Sequence, residues 1–439
     1  MNTLRPLSLI ALIFAVSAAP ARAQTAYTLA DCFRLAAARS DALAGDVELL
    51  RQAEESIRQV RANFLPTATF GLTYLRQQTP PEALGQNLFP SSQQTEQFTV
   101  TQSLFKGFQD LSTLRQRKSL KRASAEAWRQ AYLQLYQDTA QAYYAVLEDE
   151  HDVRNYDREL GADRNRLEQL AGMRKFGRAR EADVVSIQAA VASVEASAAS
   201  AGGTLGADRE TLAFLTGLEP DIALIDADSS TATIALSKPE SDWLARIDER
   251  PDLREARRNW DAADHAVTYA QGGHLPTASV TTDYYPNRPG VYNGVHWDAE
   301  LNVSVPIFSG GLTQSQVRNA VSVRSGEQIA YDLSRRQAVE SVQALYKTVD
   351  HEIEQAAKLA DAARLYDRYY QLLLKDNQSG IATNVDVLLA LATSEQTRRQ
   401  SDRASLSERY DYVRLRISSA NAEILNEIAQ VNHGAFNDE

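Results

Sequence analysis

The side chains most often used in catalysis or metal binding form no recognisable site in this sequence. The six histidines are scattered without the spacing of metal ligands, and neither an HExxH motif nor a nucleophile elbow occurs. Ser309-Gly310-Gly311 lacks the lysine that would follow in a phosphate-binding loop, so it indicates a strand-to-helix turn. We therefore expect a protein that is not an enzyme and that uses no cofactor and no metal.

Two aspartates are of interest because they recur at matching positions. Asp183-Val184 recurs as Asp386-Val387, 203 residues later, and each pair follows a glycine, Gly177 or Gly380. A carboxylate in the first turn of a helix is favoured by the helix dipole, and a glycine often ends a helix in the left-handed conformation. The residues alone therefore favour local structural roles over a role in a pore.

The aspartates belong to a repeat that spans the chain. Leu65-Pro66-Thr67-Ala68 recurs as Leu275-Pro276-Thr277-Ala278, and Tyr143 corresponds to Tyr346. One insertion between Thr69 and Val100 explains why the offset changes from 210 to 203 residues. Ordered matches of this kind predict two tandem copies of one unit. We expect a signal peptide at 1–23, a first repeat at 24–215, a mixed segment at 216–240 and a second repeat at 241–439.

Very long helices should position these residues. No proline occurs between Pro90 and Pro220 or after Pro306, and proline is the residue that most strongly interrupts a helix. The predicted helices are 29–63, 109–173, 181–215, 241–271, 313–375 and 385–431. Rods of this length must pack on one another as coiled coils.

Four short segments alternate apolar and polar residues, at 67–76, 96–105, 277–285 and 295–306. Transmembrane strands alternate in this way because one face contacts lipid and the other contacts water, although an amphipathic hairpin over a soluble core has the same pattern. The residues predicted to face lipid are Phe70, Leu72, Tyr74, Phe98, Val100, Val280, Tyr284, Trp297, Leu301 and Val303.

The N-terminus favours the membrane interpretation. Arg5, an apolar run and Ala21-Arg22-Ala23 have the order of a secretory signal peptide. The run is too short for a transmembrane helix, and we expect no later segment to replace it, so any membrane crossing should use strands. The net charge of -11 argues against a nucleic-acid partner. Four strands cannot close a barrel in lipid, so several chains must combine.

Taken together, these residues resemble the TolC family of outer-membrane efflux proteins over essentially the whole mature chain. The resemblance rests on Phe64-Leu65-Pro66 and His274-Leu275-Pro276 before the strands, on Phe105-Lys106-Gly107 and Phe308-Ser309-Gly310 after them, and on the turn from Gly380 to Leu388. It implies a mostly α fold with a small β part, in which a homotrimer forms a 12-stranded β-barrel in the outer membrane, in contact with its lipid, and a periplasmic α-barrel.

The resemblance also implies partners and an entrance. The partners are a periplasmic adaptor protein and an inner-membrane pump of the RND, ABC or MFS type, serving efflux or type I secretion. The entrance would lie near Gly177 and Gly380, where Asp386 matches an aspartate-ring position, Asp183 is its counterpart and Leu389 occupies the second ring position. The family's tyrosine and arginine tethers are replaced by Asn377 and Ala382, and Arg180 is a candidate substitute. A ring of Asp386 would favour cations.

Other functions are compatible with parts of the sequence, and the long rods alone would also suit a coiled-coil structural protein. A periplasmic adaptor also contains long helical hairpins, but its β structure forms compact soluble domains beside one hairpin. A periplasmic hydrolase on a helical scaffold would need converging polar groups that the sequence does not show. Drug, metal and protein export all remain open as the transported class.

Overall fold

A computed structural model of the chain describes residues 26–78, 91–225, 236, 238–290 and 292–420. The predicted signal peptide at 1–23 lies outside these residues, as do part of the mixed segment between the repeats and the end of the last predicted helix.

Long helices dominate the described residues. The helices are α1 Leu29–Arg39, α2 Asp41–Ala62, α3 Gln109–Lys175, α4 Glu181–Thr216, α5 Glu240–Leu244, α6 Pro251–Gly272, α7 Leu312–Gln378 and α8 Asn384–Ser418. Helices α3 and α7 have 67 residues each, which corresponds to roughly 100 Å at 1.5 Å per residue. The most extensive helix–helix contacts are those of α7 with α8, of α3 with α6 and of α3 with α4, so the helices form side-by-side rods.

Two helices that we predicted as continuous are interrupted. The segment 29–63 divides at Ser40, whose hydroxyl accepts a hydrogen bond from the Leu43 N–H and so begins a new helix. The segment 241–271 divides into α5, a 3₁₀ turn at Ile247–Glu249, and α6 with Pro251 in its first turn. Proline fits that position because its missing N–H would have no partner inside the helix.

The four strands form one antiparallel sheet in the order β1 Thr67–Arg76, β2 Ser92–Lys106, β3 Thr277–Asn287 and β4 Trp297–Ser304. Strand β2 begins earlier than its predicted start at 96, because Ser92 to Thr95 pair with the far end of β1. The β2–β3 pair joins the first half of the chain to the second. The sheet is therefore built from both predicted repeats.

Buried aromatic and aliphatic residues lie where short elements cover the rods. Phe33 of α1 packs edge-to-face on Tyr132 of α3, beside buried Trp128. On the other side, Leu253, Val342 and Leu415 bring α6, α7 and α8 together. Tyr143 donates from its hydroxyl to the carbonyl of Tyr27 at 3.2 Å and also contacts the carbonyl of Ile225. The core is thus a series of clusters along the rods.

One helix bears on the expectation that no later segment replaces the N-terminal apolar run as a membrane-crossing helix. By length and composition, helix α4 is long and apolar enough to cross a membrane. No other helix is, in the part of the chain that the structure describes. Length and composition alone are weak evidence of a membrane span, because the core helices of soluble proteins can share both properties. Alanine and serine are the commonest small residues of α4, and the helix lies along α3 as the second arm of a hairpin.

Candidate pore entrance and lipid-facing strands

The ten residues predicted to face lipid lie on one face of the sheet. Their shared orientation follows from the register, because directly paired residues point to the same side. Phe70 pairs with Phe98, Phe98 with Tyr284, and Tyr284 with Trp297, which forms an aromatic row across all four strands. The rings of Phe70 and Phe98 are 4.7 Å apart. Nine of the ten side chains are exposed in the single chain, and Val280 is half-buried.

The opposite face of the sheet is polar. Thr99 donates a hydrogen bond of 2.5 Å to the carboxylate of Asp283, and the hydroxyls of Thr101 and Thr281 lie 3.4 Å apart. Asp298 and Glu300 of β4 share this face by alternation.

The apolar face also carries some polar side chains. Glu96 lies opposite Leu72 and Gln94 opposite Tyr74, toward the strand ends that are distant from the helices. Gln102 and Thr282 pair with Val280 and Val100 nearer the helices. The sheet can therefore separate an apolar environment from water.

Two glycine turns form the ends of the long hairpins. Gly177 follows α3 with φ +70° and Gly380 follows α7 with φ +78°. At the first turn the Arg178 N–H donates to the Met173 carbonyl at 2.9 Å, and at the second the Ile381 N–H donates to the Asp376 carbonyl at 2.8 Å. These bonds define a helix end that requires a left-handed residue, which glycine adopts without steric cost.

Asp183 and Asp386 occupy equivalent positions but have different surroundings. Each is the third residue of its helix and accepts a hydrogen bond from the backbone at the helix start. Asp183 is buried, whereas Asp386 is exposed to solvent. A hydrogen bond from Thr383 keeps the pKa of Asp386 below its usual range. The exposed, charged carboxylate of Asp386 is thus the one available to solutes.

Arg180 forms its hydrogen bonds within its own turn, as far as the described residues extend. Its guanidinium binds both carboxylate oxygens of Asp183 in its own turn, at 3.1 Å from Nε and 2.9 Å from Nη2. These bonds hold the pKa of Asp183 below its usual range. Within the described chain the guanidinium is thus used locally, and the suggestion that Arg180 replaces the tether stays a prediction. Leu389, one turn into α8, is 67% exposed and bears no polar group.

The link between the hairpins comes from a residue that the sequence did not single out. Arg166, a buried residue of α3, donates from Nη2 to the side-chain oxygens of both Asn377 and Asn384, at the two sides of the Gly380 turn. Asn377 in turn donates to the Ala382 carbonyl at 2.8 Å. Asn384 also hydrogen-bonds Asp183 at the start of α4. We call Arg166, Asn377, Asn384 and Asp183 the entrance clamp, because it joins the ends of both hairpins.

Little in the sequence points to Arg166. The residue 203 positions later is Tyr369, so the repeat offers no matching arginine, and the partners are more than 200 residues away. From the sequence, Asn377 is of interest only because it occupies the position of the family's tyrosine tether. Of the predicted entrance residues, the clamp brings in Asp183, while Asp386 and Leu389 lie close by on α8. Among the described residues, no group of three or more metal-binding side chains is suited to a metal ion.

Comparison with known proteins agrees with this architecture. The sequence model of the outer membrane efflux protein family matches residues 33–218 and 246–420. The outer membrane protein TolC of Escherichia coli strain K12 is 25% identical over 389 residues, which cover 83% of this chain and 76% of TolC.

Solved structures give the same fold at lower sequence identity. The outer-membrane channel OprN superposes with a TM-score of 0.78 at 18% identity, covering 90% of each chain. The open state of the Neisseria gonorrhoeae MtrE outer membrane channel gives 0.76 at 18% identity, covering 89% of this chain and 88% of that one. With the family model matched along both halves, the chain belongs to the outer membrane efflux protein family, and its fold is that of TolC-like channels.

Proposed function

We propose that three copies of this chain form a passive exit duct through the outer membrane and across the periplasm, serving a tripartite efflux or type I secretion system. The observation that carries the proposal is the sheet, in which one exposed apolar face is bordered by two open edges. Within the described strands, β1 and β4 each pair on one side only. Unpaired backbone groups in hydrocarbon cost several kcal/mol each, so the edges must be closed by other copies.

Three copies would place twelve strands in one barrel, which is wide enough to hold a water-filled lumen. Helices of roughly 100 Å, at 1.5 Å per residue, would extend the duct far beyond a hydrocarbon layer of about 30 Å. The repeats at 24–215 and 241–439 would each contribute one strand pair and one long hairpin. No covalent chemistry is assigned to the duct, and its energy would come from an inner-membrane pump joined through a periplasmic adaptor.

We place the entrance of the duct at the glycine turns. The entrance clamp would hold the two hairpins of one chain together, and Asp386 would supply one carboxylate per copy to the solution in the opening. A ring of such carboxylates attracts cations and repels anions. The similarity to TolC and the fold shared with the MtrE and OprN channels support this assignment.

Planar-bilayer conductance of the purified oligomer, combined with its mass after subtraction of bound detergent, tests the proposal. We expect stepwise ion conductance from a particle of three chains. A particle of one chain that remains soluble without detergent would contradict the proposal, as would a trimer that never conducts.

A further inference from the structure

Two pairs of acidic residues occupy repeat-equivalent positions between each long helix and its return helix. Asp149 of α3 lies against Asp208 of α4, and Glu352 of α7 lies against Asp411 of α8. Both members of the second pair follow those of the first by 203 residues, the same offset that relates the two copies. The chain thus places one acid pair in each hairpin, far from the glycine turns.

The members of each pair contact each other through their carboxyl groups. The side chains of Asp149 and Asp208 are within hydrogen-bonding distance, as are those of Glu352 and Asp411. An ionised carboxylate only accepts hydrogen bonds, so such a contact requires a proton on one member. Asp149 Oδ2 and Glu352 Oε2 are shielded from solvent and receive no other hydrogen bond within the part of the chain that is described.

The groups that face Asp149 add negative charge. Glu148 and Asp152 are its neighbours on α3, and Asp208 faces it from α4. One nearby cation, Arg403 of α8, lies 3.2 Å from Glu148 and also pairs with Asp152. Its charge is therefore shared between two other carboxylates.

The groups that face Glu352 are similar. Asp411 and Glu408 approach it from α8, and Ser407 donates a hydrogen bond of 3.3 Å. Arg414 binds Asp411 at 2.7 Å. Glu148 and Arg403 line the same groove as Glu352, a cavity of about 500 Å³ between α3, α7 and α8. In this crowded acidic surrounding, a shared proton removes repulsion that the arginines do not fully compensate.

We propose that the two acid pairs are proton-dependent latches, which hold each return helix against its long helix while a proton is shared and loosen it when that proton is lost. The pairs act at the same level of both hairpins, so three copies would carry six latches around the helical tunnel. The effect on transport rests on the proposed function as a duct, whereas the latch itself is a property of the hairpins.

The direction of the pH response follows from the proton affinities. Burial, followed by the neighbouring carboxylates, raises the pKa of Asp149 from 3.8 to about 6 and that of Glu352 from 4.5 to about 7. In a separated pair the pKa values return toward 3.8 and 4.5, so the latched state binds more protons. The latches are therefore strongest in acid, weaken as pH rises through this interval, and do not weaken further above about pH 7.

Hydrogen–deuterium exchange of the full-length oligomer in detergent tests the latches, with rates corrected for the intrinsic pH dependence. Between about pH 5 and about pH 7.5, we expect protection of α4 around Asp208 and of α8 around Asp411 to fall at least about fivefold. The double variant Asp149→Asn with Glu352→Gln should retain high protection at both pH values, because an amide donates the required hydrogen bond without a titrating proton.

The control is Asp157→Asn with Glu354→Gln, which removes one exposed carboxylate from each of the same two helices and should keep the wild-type pH response. The partner variant, Asp208→Asn with Asp411→Asn, provides a second route if the first does not assemble. An equal loss of protection in wild type and in an assembled amide variant would overturn the proposal, as would no loss in wild type. A chain that shows the exchange response but conducts no ions would instead contradict only the proposed duct.

Discussion

At the scale of single residues, the entrance clamp depends on one buried guanidinium. Arg166 is 7% exposed, and one of its nitrogens, Nη2, contacts both Asn377 and Asn384. Hydrogen bonds to charged groups contribute about 1.5–3 kcal/mol each. These bonds join the tips of two hairpins, which also touch where Leu388 packs on Leu170, Val184 and Ile187. Their loss should therefore loosen the tips without unfolding the rods.

We therefore expect Arg166→Gln to increase single-channel conductance in a planar bilayer, by about twofold or more if the clamp contributes about 2 kcal/mol. The matched control is Arg164→Gln, because Arg164 is an exposed arginine of the same helix that pairs with the exposed Glu195, at 2.6 Å. Exposed ion pairs contribute about 1 kcal/mol or less, so the control should conduct like wild type. Equal conductance of the Arg166 variant and wild type would remove the clamp from the entrance.

Asp386 should determine ion preference and not only stabilise its helix. We expect Asp386→Ala to reduce the preference for cations over anions, measured as the reversal potential in a salt gradient. Thr383→Ala separates the two roles, because it removes the hydroxyl that caps α8 while leaving the carboxylate charge. A selectivity change shared by both variants would assign Asp386 a purely structural role.

The same carboxylate gives a prediction for pH. The pKa of Asp386 is lowered from 3.8 by its hydrogen bonds with Thr383, so the group stays ionised from neutral pH down to about pH 5. The stability that those bonds contribute is present above the unfolded-state pKa and is lost as pH falls through the lowered value. Cation preference should therefore be constant between pH 7 and about pH 5, and a loss of preference in that interval would point to another group.

At the scale of elements, the two faces of the sheet should respond oppositely to charge. Leu301 and Asn302 are neighbours on β4 and therefore point to opposite faces. We expect Leu301→Arg to destabilise the assembly by about 2–4 kcal/mol, the cost of an arginine near the middle of the hydrocarbon layer. Asn302→Arg, on the water face, should cost much less.

The loss of trimer on heating in detergent, followed by gel electrophoresis without boiling, measures the difference between these two variants. Equal thermal stability of the two would show that the apolar face does not contact lipid.

At the scale of the whole molecule, the exposed apolar face and the open edges make a free single chain improbable in water. We expect the protein to sediment with outer-membrane fragments after lysis without detergent and to be released by detergent. The alkaline wash that strips peripheral proteins should leave it in the membrane pellet. Recovery in the soluble periplasm would contradict both the duct and the lipid assignment of the sheet.

Much of the architecture can be deduced from the sequence, because local residue patterns specify its helices and strands. Long stretches without proline predict α3 and α7, and strict alternation at Ala68 to Tyr74 predicts a two-faced strand, because both patterns depend on neighbouring residues. The match to the outer membrane efflux protein family confirms the family that these patterns resemble. The helix break at Ser40 was also readable in principle, since a serine before an aspartate is a common helix start.

The tertiary structure decided which distant side chains meet. The pairing of β2 with β3, the clamp of Arg166 on Asn377 and Asn384, and the contact of Asp149 with Asp208 all join residues that no short pattern relates. On long rods every turn offers a similar polar position, so the sequence states which side chains are available, while only the packing of one helix on another selects the pairs. That selection, made at distances of a few ångströms, distinguishes Arg180, which binds within its own turn, from Arg166, which joins two hairpins.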